Sequence, residues 1–455
     1  MAVLRICVLA LLPAWPLFAE TGIQGKVTLE NERYRDDGED YAHTIDQNVG
    51  VLTKIDAYAK TDKTLSHLGF AWRENDRDKA GNMLIFQDSY FSMFMDEQKS
   101  WKVLAGYKLY NWSVLEAFHP TARLHSSNYS SFPEEWEKLP EAVVELEKFF
   151  DFGTLSFYFF PRFQEPIFPD GNSRKALIDN GSRIKMSKSS KIVGGEVLST
   201  DSIPQFGFRG TWSGDGFDTA LHVLRHVDRK AFLSGTHEYR IFGTSGSEIH
   251  LPGNCAPAPT ICRDAQRAFT FSPTPYFIRT WELGATLELA YKNTLFKFEG
   301  VRLKYDDHGP ILSNDGPERI EDHTDIAIGI EKSIAFSFDQ EMDVFIEWSR
   351  FIGPSKWERA KIGAFQQDLF VGVQHRFNNE LDSKLKLNYI TDTEGRSEKL
   401  YSVSYSQRLG GDWSLNLGGR KYKAPPKEES KGPGTVGLEN YHKDDSFFIN
   451  LSRHI

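Results

Sequence analysis

Apolar and polar residues alternate strictly through long parts of this chain. Between residues 384 and 423, three successive runs carry apolar side chains at every second position: Leu385, Leu387 and Tyr389; Tyr401, Val403 and Tyr405; and Trp413, Leu415 and Leu417. A period of two is that of a β-strand, whose successive side chains point to opposite faces. Each run therefore predicts a strand with one apolar face and one polar face.

The same alternation recurs along most of the chain and predicts eighteen strands. Most runs reach the roughly 9–11 residues that a tilted strand needs to cross a bilayer, whereas strands in soluble proteins usually have about five or six. The three weakest runs are 22–34, 65–73 and 205–212, so sixteen strands is the alternative count. Strand length therefore favours a membrane barrel over a soluble sheet.

The connectors between these runs come in two sizes that alternate along the chain. Short connectors such as 151–153, 213–216 and 292–293 carry Gly, Asn or Asp, which suit tight turns. The longest connectors span 112–140, 164–204, 229–274 and 423–444. Eight aromatic residues lie in or beside the short connectors: Trp101, Phe152, Trp212, Phe217, Tyr291, Phe338, Phe377 and Trp413. Aromatic rings prefer a membrane interface, so these residues predict a girdle at one rim of a barrel.

Together these features predict an all-β fold, a transmembrane antiparallel β-barrel with short periplasmic turns and long extracellular loops. Its apolar face would meet lipid and its polar face would line the lumen, while closure satisfies every backbone hydrogen bond at membrane depth. A secreted β-sandwich is the rival fold. A sandwich buries its apolar faces between two sheets, and it requires neither such long strands nor a rim of aromatic rings.

The N-terminus has the order of a secretory signal peptide. Arg5 precedes an apolar run from Ile6 to Phe18, and the small residue Ala19 follows. We expect cleavage after Ala19, so that residues 1–19 form the signal peptide and residues 20–455 form a single barrel domain. The first strand begins so soon afterwards that no room is left for an N-terminal plug. Any gate would therefore be built from loops.

The charge of the chain and its cysteines bear on which partners and cross-links we expect. The chain carries 54 basic and 63 acidic residues; losing Arg5 leaves 53 against 63, a charge of −10, which argues against nucleic acid as a partner. Cys255 and Cys262 lie in a Pro-rich loop, where their short spacing suits a local disulfide in an oxidising compartment. A metal site would need further ligands nearby. We expect no cofactor.

The C-terminal stretch SFFINLSRHI places Phe447, Ile449, Leu451 and Ile455 at alternate positions, although Arg453 interrupts the apolar face and Ile455 replaces the usual terminal Phe. Together with the signal peptide, strands and loops, it resembles a Gram-negative outer-membrane β-barrel over the whole mature chain. Within that class, eighteen strands with long loops are similar to alginate-export-like and substrate-specific porins. The resemblance implies insertion by the barrel-assembly machinery into an outer membrane of lipid and lipopolysaccharide.

Two groups of polar residues are candidates for lining the lumen. On the run 217–228, Asp218, His222 and His226 share one face. The two histidines would lie about 13 Å apart along a strand, which is too far for one metal ion. We therefore interpret them as lumen-lining polar residues and expect no metal. The further lumen-lining candidates are Glu282, Glu288, Lys384 and Lys386.

The loop 164–204 and the strand end before it carry the candidate constriction and selectivity residues: Arg162, Glu165, Arg174, Lys175, Arg183 and Lys185. A basic cluster of this kind selects anions by its local field; the alternatives are binding of lipopolysaccharide phosphates and a merely solvated loop. The acidic loop 112–140 predicts a short helix at 133–138, because Pro133 suits a first helical turn. Folded into the barrel, this loop would narrow the lumen opposite the basic one.

These observations favour a porin-like outer-membrane channel for diffusion or export of small polar or anionic solutes, gated by its long loops. The alternative is an outer-membrane surface scaffold or adhesin whose lumen is plugged. Ser and His residues are scattered without the arrangement that activates a nucleophile, so we expect no enzyme activity. No outward face is unusually polar, so we expect a monomer.

Overall fold

The computed structural model describes residues 20–35, 45–132, 134, 136–169, 173–175, 203–229, 277–306, 321–336, 340–356, 359, 362–395, 397–424, 438, 441 and 444–455. For residues 80, 191–193, 196–198, 232–242, 248–250, 267–276, 311–313, 316–318 and 439–440 it gives the backbone alone. The predicted signal peptide, both cysteines of the predicted disulfide (Cys255 and Cys262), Arg183 and Lys185 lie outside the described residues.

Eighteen antiparallel strands form one closed sheet, in which the last strand pairs with the first. They are β1 (Glu20–Tyr34), β2 (Gln47–Lys60), β3 (Thr64–Asn75), β4 (Met83–Phe94), β5 (Trp101–Lys108), β6 (Glu141–Phe150), β7 (Gly153–Phe160), β8 (Gln205–Gly214), β9 (Phe217–Val227), β10 (Arg279–Tyr291), β11 (Thr294–Tyr305), β12 (His323–Ala335), β13 (Glu341–Ile352), β14 (Gln367–Arg376), β15 (Lys384–Asp392), β16 (Lys399–Gly410), β17 (Trp413–Lys423) and β18 (Ser446–His454). The prediction of an all-β, porin-like barrel of eighteen strands is confirmed. The alternative count of sixteen is wrong, because the three weakest runs are all wall strands.

Along each strand, residues alternate between the lumen and the outer surface of the wall. Outward positions carry large apolar side chains: Ile23, Leu221, Leu283 and Ile330 are 77%, 51%, 57% and 46% exposed. A soluble protein does not leave such a band open to water, whereas lipid requires it. The barrel is therefore a transmembrane one, and the apolar face of the segment 384–423 is its lipid-facing side.

The two ends of the barrel differ, and we call them the short-turn end and the long-loop end. At the short-turn end, Trp101, Phe152, Phe217, Tyr291 and Trp413 are all at least 40% exposed, as a girdle at the membrane interface requires. Phe338 of the predicted girdle lies outside the described residues. No helix in the described part of the chain is long and apolar enough to cross a bilayer.

The tenth strand begins later than the alternating run at residues 275–291 predicts. The wall strand begins at Arg279, while Arg267–Phe277 pairs with Phe232–Phe242 in a separate five-stranded sheet built from the long loops. Phe277 and Ile278 are consecutive apolar residues and both are fully buried. Alternation therefore breaks between them, and the chain passes there from the loop sheet into the wall.

Candidate functional site in the barrel lumen

The connection between β5 and β6 enters the barrel and crosses its lumen; we call residues 109–140 the lumen segment. Its Trp112 ring lies 4.9 Å from the ring of His222 on β9. On the opposite wall, Phe132 stacks on Tyr422 of β17 with their ring centroids 6.5 Å apart. Both aromatic residues of the segment are buried. The lumen is therefore occupied by protein at this level and is not an empty bore.

Two carboxylates of the wall hold one stretch of the lumen segment by its backbone. Glu299 on β11 accepts hydrogen bonds from the backbone N–H groups of Val114 (2.6 Å), Leu115 (3.1 Å) and Thr121 (3.1 Å), and from the Thr121 and Ser113 hydroxyls. Glu347 on β13 accepts from the backbone N–H groups of Glu116 (2.6 Å), Ala117 (3.0 Å) and Phe118 (3.2 Å). Hydrogen bonds to an ionised acceptor are among the stronger ones in proteins. These two carboxylates therefore act as latches for the stretch 113–121.

Glycine in the wall makes room for this stretch. A Cβ atom at Gly329 on β12 would lie only 2.5 Å from Leu115 Cδ2. A larger residue there would force the Leu115 side chain to move, so the glycine leaves room for this contact within an otherwise regular strand.

A buried cation fixes the segment further towards the long-loop end. The guanidinium of Arg123 lies 3.5 Å from Asp228 and 3.2 Å from Asp325, and its side chain is 3% exposed. Tyr305 donates to the same Asp228 at 2.7 Å. Because a buried guanidinium needs such partners, this cluster ties the segment to β11, β12 and the end of β9.

The predicted lumen-facing histidines converge on one carboxylate. His222 Nε2 lies 2.8 Å from Glu282 Oε1, and His226 Nε2 lies 3.0 Å from Glu282 Oε2. A Cβ at Gly284 would collide with the His222 ring, so this cross-strand glycine is what lets the ring lie flat against the wall. The three side chains are sealed in the interior and line no open water. Among the described residues, no group of His, Cys, Asp and Glu could hold a metal ion.

The remaining lumen candidates lie towards the short-turn end. Asp218 is exposed there, and Glu288 lies 3.8 Å from Lys297, which itself donates to Glu331 at 2.6 Å. Lys384 and Lys386 lie on β15, several strands further round the wall, and both line a cavity of about 680 Å³.

This short-turn cavity is lined mainly by cations and small hydroxyl and amide side chains: Lys26, Lys384, Lys386, Arg408, His454, Ser404, Ser406, Ser414, Ser452, Gln374 and Asn416. Asp382 and Asp412 line it as well, so the four Lys and Arg residues outnumber the acids. Lys384 lies 3.3 Å from Asp382. Among the described residues, Lys26, Lys386 and Arg408 have no ion-pair partner, so their charges act on the cavity itself.

A second cavity of about 360 Å³ lies towards the long-loop end; it is lined by Glu30, Glu32, Asn48, Arg73, Asn75, Ser130, Phe132, Lys175, Arg420 and Asn450, among others. Its charges are largely paired: Arg73 donates to Glu30 at 3.1 Å, and Lys175 lies 3.2 Å from Glu32. We call it the long-loop cavity. Asn450 of this cavity and Asn416 of the short-turn cavity are cross-strand partners on β18 and β17. The linings of the two cavities therefore come within one strand spacing of each other on the same wall.

The four predicted selectivity residues that the structure describes, Arg162, Glu165, Arg174 and Lys175, do not form an open basic ring. Arg174 donates from Nε to the Ile45 carbonyl at 2.9 Å and lies 3.7 Å from Asp444, with its side chain 2% exposed. Lys175 is paired with Glu32, and Arg162 donates to the Tyr107 hydroxyl at 3.2 Å. Glu165 lies in the same loop and is half-buried, and its carbonyl accepts from Gln164 at 3.1 Å. Pairing removes most of the field that an isolated cation would exert.

The helix predicted at 133–138 is wrong in its second half. Glu137 and Lys138 form a short antiparallel pair with Ser127 and Asn128 inside the lumen segment. Glu137 also accepts from Arg73 of β3 at 3.2 Å. This contact with the wall and the hairpin pairing outweigh the local helical preference of the sequence.

Two histidines of the lumen segment are held in their neutral form. His125 Nε2 accepts from the Tyr110 backbone N–H at 2.7 Å, and its Nδ1 lies 3.1 Å from the Leu139 carbonyl, which fixes one neutral tautomer. Burial, with nearby Lys138 and Arg229, lowers the pKa of His125 to about 3. The His119 ring is exposed to the lumen, and its position inside the barrel, with Lys138 and Lys386 nearby, lowers its pKa to about 4. Protonation of either ring is therefore opposed while the segment stays docked.

Comparisons with known proteins find similarity among solved structures alone. No protein-family model and no curated protein matches the chain. Wzi of Escherichia coli, an outer-membrane protein involved in group 1 capsule assembly and described as a carbohydrate-binding β-barrel, is similar at 9% identity over 94% of this chain and 83% of its own, with a TM-score of 0.47. OpdQ of Pseudomonas aeruginosa is 9% identical over 97% of this chain and 99% of its own, with a TM-score of 0.46. OmpF of Salmonella typhi is 8% identical over 96% of this chain and 98% of its own, with a TM-score of 0.42. The functional argument therefore rests on this chain's own residues.

The sequence alone does not distinguish the two latch carboxylates or the asparagine pair that lies between the two cavities. Glu299, Glu347, Asn416 and Asn450 all lie at lumen-facing positions of predicted strands. Extending the alternation along each strand would have placed them inside the barrel. Nothing in the local sequence distinguishes them from other lumen-facing polar residues, because their role depends on contacts with distant segments.

Proposed function

We propose that this protein is an outer-membrane channel for small polar or anionic solutes, with the lumen segment as its gate. The observation that carries the proposal is the pair of polar cavities on one wall, whose linings include the cross-strand partners Asn416 and Asn450. A polar route along β17, β18 and β1 suits a hydrated solute, since each step offers hydroxyl and amide groups in place of water.

Charge in the short-turn cavity supports a preference for anions. Lys26, Lys386 and Arg408 face it without an ion-pair partner among the described residues, and serine hydroxyls surround them. Unpaired cations within a low-dielectric wall concentrate anions locally. The preference is thus assigned to strand residues at the short-turn end.

The lumen segment supports gating by a long loop. Between its ends, which continue into β5 and β6, it is held by hydrogen bonds to two wall carboxylates, by one buried ion cluster and by further contacts such as that of Glu137 with Arg73, and it contains no cysteine. Such a segment has a docked position and, on release of the latches, a displaced one. Passage would be controlled by the population of the second.

Location and partners follow from the same reading of the barrel. We place it in the outer membrane of a Gram-negative bacterium, exported by the predicted signal peptide and inserted by the barrel-assembly machinery, with lipid and lipopolysaccharide around it. We propose a monomer. An asymmetric barrel with an aromatic girdle at the short-turn end and long loops at the other suits this orientation.

A surface scaffold with a plugged lumen is the second candidate function. The depth of the lumen segment favours it: Leu115, Phe118, Leu124 and Leu139 are each at most 5% exposed. A segment so well packed could serve only to fill the barrel. The two functions differ in whether the folded barrel conducts.

Reconstitution in planar bilayers tests the proposal. The purified mature chain is expected to give stepwise conductance and, in a salt gradient, a reversal potential that reports anions as the more permeant ions. Folding is checked on the same sample by heat-modifiability on gels. Silence at every voltage from a barrel that is folded would overturn the channel and leave the scaffold.

A further inference from the structure

Outward-pointing cations collect at the long-loop end of the barrel. On β10, β11 and β13 they are Arg279, Arg302, Lys304 and Arg350, and all four are exposed. On β16 and β17 they are Lys399, Lys421 and Lys423, which we call the lysine cluster. All these positions have the strand parity of the lipid-facing side chains. The outer surface at this level is therefore basic, although the chain as a whole is acidic.

The outward cations at the short-turn end are arranged differently. Lys148 lies over the Trp101 ring at 4.9 Å, and Arg453 lies over the Trp413 ring at 5.8 Å. These cations share the girdle with aromatic partners. The lysine cluster has no ion pair among the described residues.

The pairing of strands brings the lysine cluster together. Lys399 is the direct cross-strand partner of Lys423, and Lys421 follows two positions along the same face. Like charges placed opposite each other destabilise a sheet unless an anion lies between them. The arrangement therefore has the form of an anion site that the protein alone does not complete.

An apolar groove of about 540 Å³ runs along the outer wall and reaches this cluster at Lys421. Its lining includes Val371, Leu387, Tyr389, Tyr401, Val403 and Lys421. Gly419, on the same face of β17, has no side chain to fill the space. A groove of this kind on a lipid-facing wall accepts a hydrocarbon chain, while the lysines lie at its headgroup end.

We infer that the lysine cluster and this groove together bind one anionic lipid of the leaflet on the long-loop side, with a phosphate group between Lys399 and Lys423 and an acyl chain along Tyr389 and Tyr401. The inference goes beyond the proposed function, because a barrel that conducts nothing could bind the same lipid. Charge complementarity selects a phosphorylated lipid over a zwitterionic one.

Native mass spectrometry of the full mature barrel in detergent tests this site. The probes are diphosphorylated lipid A, the same lipid without phosphates, and phosphatidylethanolamine. We expect one tightly retained diphosphorylated molecule per barrel. The triple variant Lys399→Ser/Lys421→Ser/Lys423→Ser should lose affinity on the order of 100-fold, since each lysine near an anionic surface contributes about a factor of five.

Two further variants separate the contributions of charge and groove. Lys148→Ser/Lys332→Ser/Arg453→Ser removes three outward cations from the other end and should leave retention unchanged. Gly419→Val fills the groove while keeping every lysine, and it should weaken retention without abolishing it. Heat-modifiability confirms folding of each variant.

Several outcomes would overturn the inference. Equal retention by the wild type and the lysine-cluster variant would remove the phosphate site. Equal binding of the dephosphorylated lipid would show that the groove acts without the charges. A mass of two or more barrels in place of a lipid adduct would assign the groove to a second copy of the chain.

Discussion

Charged side chains in the two halves of the lumen differ in whether they have ion-pair or hydrogen-bond partners. Towards the long-loop end, Arg123, Glu299 and Glu347 are nearly inaccessible to water, and each is satisfied by partners on another part of the chain. Towards the short-turn end, Lys26 and Lys386 face a cavity and have no ion-pair partner among the described residues. Paired charges position the lumen segment, whereas unpaired charges leave their field in the space that a solute would occupy.

This contrast assigns the two tasks of a channel to different residues. Gating belongs to the carboxylates that hold the lumen segment, and selectivity belongs to the cations of the short-turn cavity. A substitution of a latch carboxylate should therefore change gating and leave selectivity alone. A substitution of a cation in the short-turn cavity should change selectivity and leave gating alone. The predictions below test this separation, beginning with the largest expected effect.

Removing a latch should release the gate. Glu347→Ala deletes the acceptor of three backbone N–H groups and costs the docked segment about 3 kcal/mol, which favours release on the order of 100-fold. We expect a large rise in the open fraction in single-channel recordings. The reversal potential should stay the same.

A carboxylate on the same strand provides the control for this variant. Glu341 lies at the short-turn end of β13 and pairs with Arg376, so Glu341→Ala removes a charge without touching the lumen segment. An equal rise in open fraction from both variants would show that the latch has no special role.

Acid should also favour release of the segment. The lowered pKa values of His119 and His125, about 4 and about 3, mean that the released segment binds protons that the docked segment does not. Docking is therefore fully stable above about pH 6.5 and weakens as the pH falls towards about 4. At pH 5 we expect an open fraction on the order of tenfold higher than at pH 7.5, measured by conductance.

Substitution of the two rings locates the acid effect. His119→Gln/His125→Gln should flatten the dependence between pH 7.5 and pH 5, because the amide cannot take up a proton in that range. An undiminished response in this variant would assign the acid sensitivity to other groups.

Selectivity should respond to the unpaired lysines by a smaller factor. Lys26→Ser/Lys386→Ser halves the Lys and Arg charge lining the short-turn cavity and should lower the anion-to-cation permeability ratio roughly two- to fivefold. Reversal potentials in a salt gradient measure this ratio. Arg174→Gln/Lys175→Gln is the matched control, since both cations are already paired. A larger shift from the control pair would reverse the assignment.

Most of the barrel was predictable because its signal is local. Alternation fixes strand identity and the inward or outward face of each residue, so Lys384 and Lys386 were placed in the lumen from sequence alone. Alternation predicts the start of the tenth strand too early in the chain, because Phe277 and Ile278 break the pattern without a turn residue between them.

The gate was not predictable in its details because its contacts are remote in sequence. Ser113 and Glu299 are separated by 186 positions, and no periodicity links them. The pairing of Arg174 with Asp444 likewise could not be inferred from a count of basic residues. The sequence predicts which residues face inward, whereas partners across a lumen depend on how a long loop folds.

The central claim is that solutes pass along the wall where Asn416 and Asn450 meet. Cysteine substitution at each position, followed by a charged thiol reagent during conductance recording, tests it most directly. The controls are Leu417→Cys, on the lipid-facing side of β17, and the chain without a cysteine substitution. We predict that modification of Asn416→Cys and of Asn450→Cys lowers conductance while both controls stay unchanged. Full conductance after verified modification of both lumen positions would contradict the account.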